Sequence, residues 1–459
     1  MRFIYRSATR KAIALGCAMA AVAFGSVAVP ASGDAPGAPA QVVDIEFPTR
    51  IETYRYTDFG DSPSSRDDRK GTAKFRVVER SGNCCENYLT IDQRGRLYDL
   101  GGRWINYTDN DGKSWKSVQS IEPLLNGEGT IAVAPGGDII GVEWDPYSGD
   151  HLLSYKYDAA LEEWQYLEAP LHTPFYDRPW LTVVPGPFTI SGAEVPYVVF
   201  VDGYPHRGPF LYSTDGVTYI QTSNPFIDHN FTEPTKGWLK LKKHKDLDWM
   251  LPNSQSPITA LGNGGALAAP GPFAQSWSLF DPKTQQWSAH TFPGGEDLDG
   301  TLLVDSKGRM HNLVTKGNVF DYRISSNGGK TWKTTTVPLP KDVTTPGGMQ
   351  VDFRVNAELG MAAIGMHVRL GKSQTDGDVL YTLDISGASA RVKRLYEIGL
   401  GDIDASSGVG QNIRFDFETV AIFPDGRVAI SFLDSTTGPA YHFAEAVQER
   451  LSPALAIEL

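Results

Sequence analysis

Cysteine is nearly absent, with three residues in 459. That is too few for a small disulfide-built scaffold. Cations are outnumbered: 42 Lys and Arg face 54 Asp and Glu, a formal charge of −12. Bulk electrostatic capture of nucleic acid or of an anionic membrane is therefore excluded, and only a local basic site remains open. Histidine is sparse at nine residues, and His172, His206, His229, His244 and His367 are scattered without metal-ligand spacing. No metal site and no cofactor motif is read. Helical periodicity is scarce, and only one long apolar run occurs, Ala12 to Val29.

That run follows Arg2, Arg6, Arg10 and Lys11 and precedes the small residues Ala31, Ser32 and Gly33. This is the pattern of a secretory signal over 1–33, read in preference to an uncleaved anchor because the run is short and rich in Ala and Gly. Cys17 follows Gly16, but the residues after it stay apolar, unlike a lipidation site. Cleavage would remove four cations and no acid, taking the charge from −12 to −16. It would leave Cys84 and Cys85 as the remaining thiols, in an oxidising compartment. The expected protein is secreted and monomeric, without a membrane segment once the signal is gone. Residues 34–46 read as a Pro/Ala/Gly-rich linker, 47–448 as the folded domain and 449–459 as a C-terminal tail.

What is abundant is glycine, 47 residues, together with aromatics and short strands between turn signals. The composition reads as all-β. One run recurs about seven times in a fixed register. It reads Leu89-Thr90-Ile91 ahead of Gly95, then Ile131-Ala132-Val133 ahead of Gly137, then Leu181-Thr182-Val183 ahead of Pro187. It continues as Ile258-Thr259-Ala260 ahead of Gly264 and Leu302-Leu303-Val304 ahead of Gly308. Val355-Asn356-Ala357 ahead of Gly360 and Val420-Ala421-Ile422 ahead of Gly426 complete it. Glycine in this slot allows the positive φ of a tight hairpin. A second hairpin follows most copies and ends in an aromatic: Trp115, Trp164, Tyr219, Trp287, Trp332. Two hairpins per copy predict a seven-bladed β-propeller of four-stranded blades. The largest insertion, roughly 222–256, carries the basic stretch Trp238 to Lys245, read as a solvated loop or a substrate-gripping lid.

Two outer hairpins share a motif. Thr108, Asn110, Gly112, Ser114 and Trp115 recur as Ser325, Asn327, Gly329, Thr331 and Trp332, with a degenerate copy at Ser213 to Tyr219. The hydroxyl and amide side chains can bond backbone groups across the turn, and the Trp can bury itself against the blade. The motif resembles the Asp-box, or BNR repeat, of the sialidase-like propellers. The resemblance implies that the box is structural and sits on the rim, away from the ligand face. It also implies six blades as the alternative count.

In such a fold the segments leading into the innermost strands share one face, where a concave ligand site belongs. Those junctions are polar: Cys84-Cys85-Glu86-Asn87, Asn126-Gly127-Glu128, Asp177-Arg178-Pro179-Trp180, Ser254-Gln255-Ser256, Glu296 to Asp299, Asp352-Phe353-Arg354 and Arg414 to Glu418. Structural ion pairing around the axis is the competing reading. Asp177, Glu128, Asp299 and Glu418 are the candidate catalytic carboxylates, since glycoside hydrolysis needs a carboxylate pair. Glu86, Arg178, Trp180, Gln255, Arg354, Arg414, Cys84 and Cys85 are candidate substrate contacts. Arg178, Arg354 and Arg414 could mimic the three arginines that sialidases place on the substrate carboxylate. The chain lacks the F/Y-R-I-P motif of that family, and no Tyr stands out as a nucleophile, so true sialidase activity is disfavoured.

Neighbouring Cα atoms lie about 3.8 Å apart across a trans peptide, and ordinary disulfides span roughly 4.4–6.8 Å. A Cys84–Cys85 bond would therefore be a strained ring, of the type kept at functional sites. Two free thiols, metal binding and intermolecular pairing stay open. The expected partner is a glycan or polysaccharide. The expected function is hydrolase or lyase, or else non-catalytic binding of a glycan or protein.

Overall fold

The computed structural model describes residues 38–39, 41–60, 69–79, 88–100, 105–119, 129–145, 151–161, 163–172, 179–190, 192–203, 210–222, 248, 258–261, 266–268, 276–281, 286–291, 301–316, 319–340, 343–344, 351–370, 375–404, 419–434 and 452–459. Apart from Asp248, which is helical, every element among them is a β-strand, and the pairing is antiparallel. They form six hydrogen-bonded sheets, the largest of ten strands.

The chain builds these sheets by local hairpins. Among the described residues seven strands start such meanders: Tyr88–Ile91, Gly129–Val133, Pro179–Ile190, Ile258–Ala260, Thr301–Val304, Val351–Asn356 and Val420–Ile422. Each pairs with the strand after it, and in the first six meanders the chain continues outward by two more strands. The starting strands sit next to one another in order, and Val420–Ile422 returns beside Tyr88–Ile91. Leu303 packs with Phe353 and Val355 at the one junction not made by close strand approach.

Apolar residues on both strand faces explain the layering. Leu97–Leu100 and Gly129–Val133 are buried throughout, as strands packed between two layers must be. Successive sheets share their cores. Val184, Phe200 and Tyr212 pack with Phe280 and Trp287, and these with Val304 and Met310. The circle closes where Ala421, Ala429 and Leu455 of the last sheet meet Leu89, Leu97 and Trp115 of the first.

The last sheet is assembled from both ends of the described chain. Its order is Val420–Ile422, Val428–Asp434, Ser452–Glu458, Arg69–Glu79. Residues 449–459, expected as a tail, thus supply a central strand in which Ala454, Leu455, Ala456 and Ile457 are fully buried. The expected linker 34–46 also contributes strands, Ala38–Pro39 and Gln41–Ile45, on the outer edges of the second and first sheets. Thr49–Asp58 pairs with both Arg69–Glu79 and Arg391–Asp404, which merges the last two meanders into the ten-stranded sheet.

The glycine slot behaves as its chemistry requires. Gly95, Gly137, Gly308, Gly360 and Gly426 all have positive φ. At Gly308 (φ 74°) the amide donates to the Asp305 carbonyl at 2.9 Å, a closure that an L side chain at this φ would strain. The third copy differs. Its strand runs through Pro187 with a register shift between Pro185 and Phe188, and the positive φ falls at Gly192. Gly264 lies outside the described residues.

The rim turns fold by side-chain hydrogen bonds. Thr108 Oγ1 accepts from Gly112 N at 3.0 Å, and Asn110 Oδ1 accepts from Ser114 N at 3.0 Å. Ser325 and Asn327 repeat this on Gly329 N (3.0 Å) and Thr331 N (2.9 Å). Ser213 and Asp215 do the same on Gly216 N (2.9 Å) and Thr218 N (2.7 Å). Trp115, Tyr219 and Trp287 are buried where their outer strands begin or run.

Candidate functional site

The innermost strands have two ends. One is the turn end, where Asp92 and Asp305 lead their hairpins and Asp425 sits within its own. The other is the start end, where each expected junction joins its strand. Cys84, Cys85, Glu86, Glu128, Asp177, Arg178, Gln255, Asp299, Arg414 and Glu418 lie outside the described residues. Several abut described strand starts: Glu128 precedes Gly129, Arg178 precedes Pro179 and Glu418 precedes Thr419.

The two described candidates turn out to be structural. Trp180 is 2% exposed and packs with Tyr88, Tyr98, Ile131 and Tyr155. Of the two roles open to Trp180, packing in the core or contacting a sugar, its burial matches the first. Arg354 is 9% exposed and serves three innermost strands. Its Nε donates to Asp352 Oδ2 at 3.1 Å and lies 3.3 Å from the Val420 carbonyl oxygen. Its Nη2 reaches the Leu89 carbonyl at 3.5 Å, and the guanidinium lies 5.6 Å from the Tyr88 ring centroid. Burial pulls its pKa down, but Asp352 and Tyr88 outweigh this and hold it above the ordinary value. Asp352 Oδ2 also accepts from Val420 N at 3.0 Å. Arg354, expected to grip substrate, is thus committed to Asp352 and to neighbouring backbone, as the structural-pairing alternative requires.

Other ties run the same way between innermost strands. Thr130 Oγ1 donates to the Pro179 carbonyl, and Thr182 Oγ1 donates to the Ile258 carbonyl at 3.0 Å. Thr259 Oγ1 accepts from Val304 N at 3.2 Å. The recurring Thr beside the apolar core residue was visible in the sequence, but nothing there marked it as an inter-strand tie.

Sequence reasoning missed Asp248 entirely. It lies three residues past the basic stretch of the 222–256 insertion. The insertion joins Tyr219–Gln221 to Ile258–Ala260, yet Asp248 sits at the turn end of two other meanders. Its Oδ1 accepts from Ser306 N at 2.7 Å, and its Oδ2 accepts from Ser306 Oγ and Ala357 N, each at 2.7 Å. Burial pushes its carboxyl above the ordinary range, against the pull of the Ser306 and Ala357 donors. Asp248, Arg354, Asn356, Thr90 and neighbouring strand residues leave a recess of about 30 Å³, room for water and not for a sugar.

A second buried carboxylate adjoins the first. Asp305 Oδ2 lies 2.9 Å from His311 Nε2 and accepts from Arg309 Nε at 2.7 Å. His311 Nδ1 is 2.9 Å from the Tyr322 hydroxyl. Burial would raise the Asp305 pKa, but His311 and Arg309 outweigh it and hold the carboxyl below its ordinary value. Among the described residues no three metal-ligating side chains converge.

The described residues form an all-β set of antiparallel sheets whose innermost strands lie beside one another, with a water-sized recess at the turn end. No protein-family model matches this chain, and no curated protein does. Among solved structures, the chain is similar to a protein from Lactobacillus plantarum at 12% identity, covering 77% of this chain and 98% of that one, with a TM-score of 0.39. It is also similar to the GH93 α-L-arabinofuranosidase of Fusarium graminearum in complex with arabinobiose, at 12% identity, 77% and 99% coverage and a TM-score of 0.33. The polysaccharide lyase Uly1 is 10% identical, with 72% and 82% coverage and a TM-score of 0.31. Superpositions this loose carry no argument about activity.

Proposed function

We propose that the chain is a seven-bladed β-propeller that binds a glycan at the start end of its innermost strands and cleaves it as a polysaccharide hydrolase or lyase. One observation carries the reading. Innermost strands of successive meanders lie beside one another, which supports a common axis for the residues just ahead of them, while the recess lined by Asp248 and Arg354 at the turn end has room only for water. A ligand larger than water is thereby directed to the start end. Asp177, Glu128, Asp299 and Glu418 are the carboxylates available there for general acid, base or nucleophile. Arg178 and Arg414 supply planar, permanently charged donors for a sugar carboxylate or hydroxyls, with Glu86 and Gln255 as further polar contacts. Commitment of Arg354 to Asp352 leaves a three-arginine clamp incomplete, which supports a glycan enzyme other than a sialidase.

The same reading makes residues 1–33 a secretion signal and the mature protein an extracytoplasmic monomer. Cys84 and Cys85 form a rigid vicinal ring beside Glu86. Thiol titration of the mature protein before reduction should find none, and two titratable thiols would refute the ring. Function is tested by assaying hydrolysis and β-elimination on a glycan panel, with Asp177→Asn and Arg178→Ala alongside. Loss of turnover in both variants is expected. Unchanged turnover in both would overturn the site, and binding without turnover in the parent would make it a lectin-like propeller.

A further inference from the structure

The ribbon of Thr49–Asp58 and Arg69–Glu79 segregates its charge by face. Residues directly opposite each other share a face, and alternate rungs point opposite ways. One face bears Arg50, Glu52, Tyr54, Tyr56 and Asp58 on the first strand, with Phe75, Val77 and Glu79 on the second. Phe75 and Val77 are buried there against Tyr396, Val428 and Phe432, with Tyr54 and Tyr56 packed on the cluster. All three ribbon carboxylates belong to this inward face. Arg50 pairs with Glu52 at 2.7 Å and with Glu79 at 2.9 Å, and Arg394 lies 3.7 Å from Asp58.

The outward face has the opposite composition. Its successive rungs are Thr57–Lys70, Arg55–Thr72, Thr53–Lys74 and Ile51–Arg76. Each rung carries one cation, three pair it with a threonine, and none carries an acid. Ile51, Thr53, Arg55, Lys70, Thr72 and Lys74 are exposed. Arg55 has a side chain 77% exposed and contacts Glu397 of the next strand at 2.9 Å. Arg76 donates to the Asp111 carbonyl at 2.6 Å. Lys70 and Lys74 have no ion-pair partner among the described residues. The four cations are spaced by roughly 7 Å per rung, a track of about 20 Å.

We propose that this outward face is a docking surface for an anionic polysaccharide, separate from the axial site and independent of what that site does. A chain of net charge −12 that gathers Arg55, Lys70 and Lys74 as exposed cations on one ribbon face, with Arg76 half-buried beside them and only Arg55 answered by an acid, Glu397, presents a local attractive track within a repulsive field. Threonine hydroxyls opposite three of the four cations suit a partner rich in both anionic groups and hydroxyls. The ribbon's aromatic residues, Tyr54, Tyr56 and Phe75, all lie on the inward face, so bases of a nucleic acid would find nothing to stack on. Ile51 is the one large apolar residue on the strip, too little for insertion into a membrane.

The test is affinity electrophoresis of the full chain through gels containing polygalacturonate, with neutral dextran as the blank. Polygalacturonate should retard the parent protein, less so as salt rises. Lys70→Glu/Lys74→Glu should weaken this at least tenfold at an unchanged melting temperature. Lys116→Glu/Lys333→Glu, exposed positions on other sheets with the same charge change, should bind like the parent. Three results would overturn the proposal: no retardation of the parent, equal loss in both double variants, or binding of a single-stranded oligonucleotide or of phosphatidylglycerol vesicles as tight as that of polygalacturonate.

Discussion

The two ends of the innermost strands carry similar residue types in different sequence settings. At the turn end, acids are answered from close by in the chain. Asp92 meets Arg94 and Arg96 N–H, Asp305 meets Arg309, and Asp425 meets Arg427. Asp248 is held by three neutral donors across two meanders. At the start end, Glu128, Asp299 and Glu418 have no cation two to four residues later in the sequence. An acid followed at i+2 or i+4 by an arginine across a glycine turn is a structural acid. An acid that leads an apolar strand without such a partner is the better candidate for chemistry.

The largest effect should come from the tie that Arg354 makes among three innermost strands. Arg354→Ala takes the cation away from buried Asp352, whose Oδ2 keeps the Val420 N–H, and a loss of about 3–5 kcal/mol is expected in urea unfolding. Replacing both Asp352 and Arg354 by apolar residues should cost clearly less than the sum of the single changes. An effect of Arg354→Ala on glycan turnover at unchanged stability would return Arg354 to the ligand site.

A smaller loss is expected at Asp248. Asp248→Ala strands the Ser306 and Ala357 donors, which should cost about 1–3 kcal/mol. Glycan turnover should be unaffected where the protein stays folded. A drop in turnover without destabilisation would show that the two ends are not separate.

Acid should distinguish the two adjacent carboxylates. The Asp305 pKa is lowered from 3.8 in the fold, so its stabilisation is present above that value and lost as pH falls below it. The Asp248 pKa is raised from 3.8, so its contribution is favourable in acid and fades as pH rises through the raised value. Melting temperatures followed from about pH 7 to about pH 3 should show both slopes. Asp248→Asn should remove the part that improves on acidification, and Asp305→Asn should remove the part that declines. Identical profiles in both variants would contradict the assignment.

The smallest effects belong to the rim. Asn110→Ala and Asn327→Ala each remove bonds to a turn amide and a hydroxyl, Ser114 in one case and Thr331 in the other. Each should cost about 1 kcal/mol, and the two should add because the turns belong to separate sheets. Strong coupling between them would mean that the rim transmits strain around the ring.

Local chemistry made much of this fold legible. Glycine at positions 95, 137, 308, 360 and 426 announced the hairpins, and the Thr108 and Ser325 turns announced their own hydrogen bonds. Ring closure was not legible. Val78 pairs with Leu455 from the other end of the chain, and neither residue's neighbours carry a signal for a partner so distant. The pairing role of Arg354 was half visible, because Asp352 stands two residues away, the spacing that marks structural acids at the turns. Asp248 was hidden beside the more conspicuous Lys-rich stretch, since the donors it needs are backbone amides that no sequence advertises.

The ligand is expected at the start end of the innermost strands and not at the turn end. Equilibrium binding of an active glycan should be measured for Arg178→Ala and Asp248→Ala beside the parent, each with its unfolding free energy. Arg178→Ala should lose binding at unchanged stability, and Asp248→Ala should lose stability at unchanged binding. Full binding by Arg178→Ala together with lost binding by a folded Asp248→Ala would contradict the account.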